Sequence, residues 1–210
     1  MVLRIVIYLK SKMMLKAQEI RATYDKTSIT VYQAYSRDIA IPAVQHQKFV
    51  APFSFTRMTW IKPSFLWLME RSNWATKSNQ DAILAIKLKR ECWEKALSLG
   101  VVTHPDVAIY KNGLQWQTAF DKALIHIQWD PERGIRGTKL PIQTIQVGIT
   151  RHLIDEYNQT WIQSITNVTP LVQKIHQLLI LGKHKEATRL VPIEKPYEVL
   201  EEIAAKIGVR

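Results

Sequence analysis

Apolar and polar positions change period several times along the chain, and each change predicts an element. The run "SITVYQAYS" (28–36) is rich in β-branched and aromatic residues, which predicts a strand. "RDIAIPAVQHQKF" follows with helical spacing and Pro42 near its first turn. "RMTWI" then reads as a short strand stopped by Lys62 and Pro63. Ser64 stands where an N-cap belongs, and the helix it opens should run to about Asn73, whose tolerance of left-handed backbone suits a stop. "AILAIKLKR" (82–90) reads as a strand, "ECWEKALSLG" as a helix ended by Gly100, and "ALIHIQWD" and "IQTIQVGI" as two more strands. Residues 151–165 return to helical spacing. "TPLVQKIHQLLILG" has Thr169 as cap, Pro170 at the first helical position and Gly182 just past the end, with Leu171, Ile175, Leu178 and Leu179 along one face. "KPYEVLEEIAAKIG" repeats that logic with Pro196 near its start and Gly208 at its end. The sum is an α+β fold, with a central mixed or antiparallel sheet, flanking helices and a helical C-terminal third.

Composition narrows this to an ordinary globular chain. The 210 residues, 47% hydrophobic, suffice for one core, so residues 14–210 are expected to form a single α+β domain. "MVLRIVIYLKSK" is too short, and too early interrupted by Arg4, for a signal peptide or a membrane span. Met13 or Met14 offers an alternative start, which makes residues 1–13 an extension. One cysteine, Cys92, makes neither an internal disulfide nor a thiolate zinc site, and a reducing cytoplasm is the expected compartment.

Charge changes the picture of partners, not of fold. The net charge of +11 favours anionic ligands or polyanions. Its excess lies in the first half: Arg4, Lys10, Lys12 and Lys16 precede any acid, whereas residues 183–210 hold six basic and five acidic groups.

The stretch "RMTWIKPSFLWLMERSNWATK" (57–77) concentrates this chemistry. Three of the seven tryptophans, Trp60, Trp67 and Trp74, stand there with Arg57, Lys62, Arg71 and Lys77. Two readings compete. In one the indoles fill a core and the cations snorkel outward. In the other Arg57, Lys62 and Arg71 ring a pocket whose indole wall stacks a base or nicotinamide ring, since arginine grips phosphate bidentately and indoles are sequence-tolerant stacking platforms.

A second stretch, "IQWDPERGIRG" (127–137), should leave its strand through Asp130 and Pro131 into a turn, with Glu132, Arg133 and Arg136 following. It is either a well-made turn or a strand-end carboxylate placed to bind ribose hydroxyls or act as a base. Gln33, Tyr35 and Gln146 interrupt apolar runs. Each is tied to backbone or turned to a ligand, the former being the more usual fate of a buried glutamine.

Several familiar signatures are missing. G-x-x-x-x-G-K-[ST], G-x-G-x-x-G and G-x-S-x-G do not occur, and the six histidines show no metal-ligand spacing, so no metal site is expected.

The runs "EIRATYD", "ITVYQAYS", "RMTWIKPSFLWLMERSNWATK", "IQWDPERG", "IQTIQVGI" and "VTPLVQKIH" resemble the family catalogued as domain of unknown function 4291, from about Gln18 to Gly208. That likeness implies relatives without implying a reaction. The order of elements is also similar to the ADP-ribosyltransferase fold. This second resemblance implies a dinucleotide site, with NAD as the ligand, built from Gln33 or Tyr35, Trp60 or Ser64, and Glu132 or Gln146. The first-strand His or Arg common there is absent.

The sequence therefore predicts a nucleotide- or phosphate-binding protein, in its boldest form a divergent group transferase of the ADP-ribosyl kind. Glu132 and Gln146 are the expected catalytic residues. Gln33, Tyr35, Arg57, Trp60, Lys62, Ser64, Trp67, Arg71, Trp74, Lys77, Asp130 and Arg133 are the expected ligand-binding ones. A non-catalytic RNA- or DNA-binding module and an interaction protein with a tryptophan core are the alternatives.

Overall fold

A computed structural model describes residues 18–210, so the extension expected at residues 1–13 lies outside the described residues. In chain order the elements are β1 (Arg21–Ala22), β2 (Ser28–Tyr35), α1 (Arg37–His46), β3 (Thr59–Ile61), α2 (Phe65–Ser72), β4 (Ala82–Lys89), α3 (Arg90–Ser98), β5 (Gly100–Val102) and α4 (Gly113–Asp121). They continue as β6 (Ile125–Arg133), β7 (Lys139–Ile149), α5 (Ile154–Glu156) running into a π-helical turn at Tyr157–Trp161, β8 (Ile162–Asn167), α6 (Thr169–Ile180), α7 (His184–Leu190), β9 (Lys195–Pro196) and α8 (Glu201–Ile207). This is an α+β fold.

The strands form an antiparallel sheet β2-β4-β8, a mixed sheet β3-β7-β6-β5 in which only β5 and β6 run parallel, and the small pair β1-β9. The two larger sheets touch where Tyr32 on β2 bridges Lys62 just after β3, the Tyr32 N–H donating to Lys62 O at 2.7 Å.

Period-2 alternation explains the layering. On β2 and β4, Ile29, Val31, Leu84, Ile86 and Leu88 enter the main core, which also takes Trp93 of α3 and Trp161, all essentially solvent-free. The opposite face of the same strands, with Tyr32 and Ile83, is covered by Phe65, Leu68 and Met69 of α2 and by Val172 and Ile175 of α6. The central strand β4 is thus covered on both faces, which is why "AILAI" reads as a continuous apolar run, whereas the edge strand β8 leaves Gln163, Thr166 and Asn167 exposed.

Several boundaries differ from the sequence expectation, each for a physical reason. Pro42 lies inside the ten-residue α1, past its first turn. Gly100 does not stop α3; Leu99 caps it, and Gly100 begins β5, packed so close to Ile127 that an added Cβ would come within 2.6 Å of its Cγ1. The strand carrying "IQWDPER" does not turn at Pro131 but runs on to Arg133. β5 pairs only with residues 125–127, so β6 has no second neighbour at Pro131, and the register slips by a bulge between Pro131 and Arg133. Helical spacing over 151–165 is realised only as far as Trp161, after which Ile162–Asn167 pairs with β4 as β8. Pro196 lies in β9, and the last helix starts later, at Glu201.

The α2 segment forms as its residues dictate. Ser64 Oγ accepts from Trp67 N at 3.2 Å, and Asn73 ends the helix at φ 48°. Among the described residues no helix is long and apolar enough to cross a membrane.

Candidate ligand-binding cleft

The β3-β7-β6 surface has one apolar and one polar face. Ile125, Ile127, Ile145, Val147, Ile149 and Ile61 point into the core, all with no exposed surface. Alternation puts the intervening residues on the other face, and the register aligns them in rows: His126, Gly148 and Trp60 in one, Gln128 beside Gln146 in the next, with Lys62 following Ile61 along β3. This face carries buried Lys62 and Gln146 beside half-buried Gln128 and Asp130, so it is polar where the opposite face is apolar.

Above this face lies a cleft of about 650 Å³, at the junction of the two sheets. Trp60, Lys62, Gln128, Asp130 and Gln146 form its floor, Trp67 and Arg71 of α2 lean over it, and Gln33 and Tyr35 close the β2 side, with Arg57 at the rim. Gly148 lets the Trp60 indole lie flat across β7: a Cβ there would sit 2.9 Å from Trp60 Cη2 and from Met58 Sδ.

Among the described residues Asp130 is the only carboxylate lining the cleft, and its oxygens are oriented by amides. Gln128 Nε2 donates to Oδ1 and Oδ2 at 3.1 and 3.2 Å, and Gln146 Nε2 donates to Oδ2. On the β2 side, Gln33 is fully engaged. Its Nε2 lies within donating distance of Thr59 Oγ1 (2.7 Å), Tyr35 Oη (2.8 Å) and Trp60 O (3.1 Å), and its Oε1 accepts from Tyr157 Oη at 2.9 Å. Burial pushes the Tyr35 hydroxyl up to about 12, so it stays protonated. These residues build a rigid wall.

Lys62 is the least ordinary group. Its Nζ donates to Trp60 O at 3.1 Å and lies 5.6 Å from the Trp67 ring centroid, yet the residue is only 9% exposed. Burial, helped by the Arg71 cation and opposed by the Asp130 anion, pushes its amine down to about 7.

The structure brings together nine of the expected residues: Gln33, Tyr35, Arg57, Trp60, Lys62, Trp67, Arg71, Asp130 and Gln146. The other five stand apart from the lining. Glu132 is buried, accepting from Ser64 Oγ at 2.9 Å and from Arg133 N at 2.7 Å, and burial pushes its carboxyl upward. Arg133 turns to Glu70 at 3.5 Å and to Gly137 O at 3.1 Å. Trp74 lies beyond α2, at φ 54°, stacked on His176 at 5.6 Å. Lys77 is exposed. The three indoles do not converge; two do.

The tryptophans that fill the core are Trp93 and Trp161, whereas Trp60 and Trp67 are only partly buried. Gln128, Thr59 and Tyr157 complete the site and were missed from the sequence. For Gln128 a signal was present: in "IHIQWD" it shares the outward parity of Asp130.

A larger hollow of about 800 Å³ opens beyond Met58, lined by residues including Phe120, Lys122, His126, Thr150 and Arg151. Its lining, not its size, sets it aside. Among the described residues that line it there is no indole, and its one carboxylate, Asp121, is exposed at the end of α4. Among the described residues no group of three or more His, Cys, Asp or Glu is placed to hold a metal ion.

The family model described as "Domain of unknown function (DUF4291)" matches residues 19–197, nearly the whole described chain, so the chain belongs to that family. No curated protein matches it.

Proposed function

We propose that this member of the DUF4291 family binds a nucleotide, or another phosphate-bearing ligand with a planar ring, in the cleft at Trp60 and Trp67. The observation that carries this reading is the meeting in one cleft of two partly exposed indoles, the guanidinium groups of Arg57 and Arg71, and an amide-oriented carboxylate. Each group has a defined task. The indoles stack the ring. Arg57 at the rim and Arg71 on α2, both exposed, take the phosphates. Asp130 accepts from ribose hydroxyls, its lone pairs held in place by Gln128 and Gln146.

The finer form of the reading is group transfer of the ADP-ribosyl kind. A fixed anion 130 residues into the chain, on a rigid strand, suits stabilisation of positive charge developing at a sugar carbon, and preorganised charge of this sort is usually the largest catalytic contribution. Asp130, with Gln146 as its positioning residue, is then the group that acts; Glu132 supports α2 from behind through Ser64.

Thermal unfolding of the full chain with NAD, ATP or a short RNA in excess tests this. At about a hundred times its dissociation constant a ligand adds roughly 2.7 kcal/mol, and each kcal/mol raises the midpoint by roughly 2–4 °C in a chain of this size. A shift with a nucleotide that disappears in Arg57→Ala/Arg71→Ala, while the unliganded midpoint holds, supports the reading. A shift with RNA alone, falling steeply with salt, replaces it by the nucleic-acid module. Absence of any shift refutes both.

A further inference from the structure

We propose that Lys62 is an amine nucleophile that condenses with phosphate-bearing aldehydes in the cleft, the open-chain form of a 5-phosphorylated ribose among them. This rests on the ligand-binding reading of the cleft and names the chemistry of its floor.

Lys62 is built unlike a phosphate clamp. A clamp sits exposed at the edge of its site, as Arg57 and Arg71 do. Lys62 is pinned instead: its carbonyl accepts from Tyr32 N at 2.7 Å where the two sheets join, and its side chain passes beneath the Trp67 indole. Its hydrogen bond goes to a backbone carbonyl, Trp60 O, and among the described residues its amine forms no ion pair with a carboxylate. Buried cations are ordinarily paired, and an unpaired one loses its proton more readily than it tolerates burial.

The groups facing the amine act in a definite balance. Arg71 on α2 repels the protonated form and Asp130 on β6 favours it, while Tyr35 on β2 stays neutral to about 12 and Arg57 stands at the rim. Burial is the largest influence, and the outcome, about 7, leaves a large neutral fraction near neutral pH. Desolvation beside another cation is a recognised way to make a lysine amine nucleophilic, and Lys62 has both.

The step balances without an added oxidant or reductant. The Lys62 amine lone pair attacks the carbonyl carbon, and a proton moves from nitrogen to the former carbonyl oxygen, giving a carbinolamine. That oxygen then leaves as water with the second amine hydrogen, and a C=N bond remains. Solvent in the open cleft carries the protons. The guanidinium groups of Arg57 and Arg71 hold the phosphate of such a ligand, and the indoles take its ring when it has one.

Pyridoxal 5′-phosphate is the probe, an aldehyde with a ring and a phosphate. The full chain is incubated with it from about pH 6 to about pH 9, reduced with borohydride and mapped by peptide mass spectrometry. Lys62 is expected to be modified about tenfold or more faster than any other lysine near pH 7, where amines of ordinary pKa, about 10.4, are almost wholly protonated. Its half-maximal rate should fall near pH 7, and ribose 5-phosphate should compete. Modification spread over surface lysines with Lys62 spared, or a Lys62 profile that tracks theirs, overturns the proposal. Lys62→Met forms no imine and buries no charge; its melting curve checks that loss of labelling is not loss of fold. Failure of the nucleophile and failure of the nucleotide reading remain separable. Labelling that nucleotide does not block leaves Lys62 reactive and removes the nucleotide. A nucleotide-induced melting shift with unlabelled Lys62 does the reverse.

Discussion

Gln146 and Asp130 are joined side chain to side chain across the β6–β7 hairpin, the Gln146 amide donating to Asp130 Oδ2. Gln128, directly opposite Gln146 in the register, donates to the same carboxylate from the other side. The period of the strands makes this possible: residues 128 and 130 share a face, and their neighbour on β7 reaches both. The carboxylate is thereby fixed in orientation before any ligand arrives, which is the condition for a side chain to act electrostatically without reorganising.

Removing the carboxylate strands its donors. Asp130→Ala leaves the Gln146 amide, in a residue 6% exposed, without its acceptor, and should cost about 1–3 kcal/mol in denaturant unfolding. Asp130→Ala and Gln146→Ala should not be additive. A double-mutant cycle should give a coupling of roughly 0.5–3 kcal/mol. Additive costs would mean that the two side chains do not act as a unit.

Trp67 and Trp93 should separate binding from stability. Trp93 has no exposed surface, and Trp93→Ala should cost about 3–5 kcal/mol. Trp67 is partly exposed above the cleft, so Trp67→Ala should cost much less but weaken a stacking ligand by about 1–3 kcal/mol, roughly 5- to 150-fold. Melting curves with and without nucleotide read both numbers. Equal losses of stability in the two variants would return Trp67 to the core.

Much of this site was legible because it is local. Ser64 as N-cap, Asn73 as left-handed stop and the strand before Lys62 follow from residues within one or two turns of each other, and they place Trp60, Lys62, Trp67 and Arg71 together. What misled was spacing that two structures satisfy equally. Trp67 and Trp74, seven apart, share a face only if the helix continues, and it ends at Ser72. Ile154, Tyr157 and Trp161 are helically spaced, yet the next residues pair with β4 because that strand still had an open edge. Pro131 looks like a strand end unless one knows that β5 is too short to reach it. Such facts are tertiary, and no window of sequence contains them.

Glu194 should give stability a distinctive pH dependence. Its Oε1 accepts from Phe65 N at 2.7 Å, beside buried Glu132, and burial pushes its carboxyl from the ordinary 4.5 up to about 8. Between these values the folded chain holds a proton that the unfolded chain has lost, so this contribution to stability is full below pH 4.5 and lost as pH rises through about 8. Glu194→Gln keeps an oxygen for the Phe65 N–H and needs no proton. Its stability advantage over the parent should be small near pH 4.5, grow to about pH 8 and then level off. A pH-independent difference would show that the carboxyl titrates normally.

Lys62 has the opposite sign and two neighbours that tune it in opposite directions. Its amine falls from 10.5 to about 7 on folding, so the unfolded chain binds the extra proton between these values, and this contribution to stability rises as pH climbs from 7 toward 10.5. Lys62→Met should therefore have its largest stability advantage below pH 7 and lose it above. Arg71→Ala removes a repelling cation and should raise the amine, slowing aldehyde labelling at pH 7 several-fold and moving the profile to higher pH. Asp130→Asn removes the attracting anion and should move it to lower pH. No shift in either variant would mean that burial alone sets the amine, and shifts of the same sign would mean that Arg71 and Asp130 do not tune it in opposite directions.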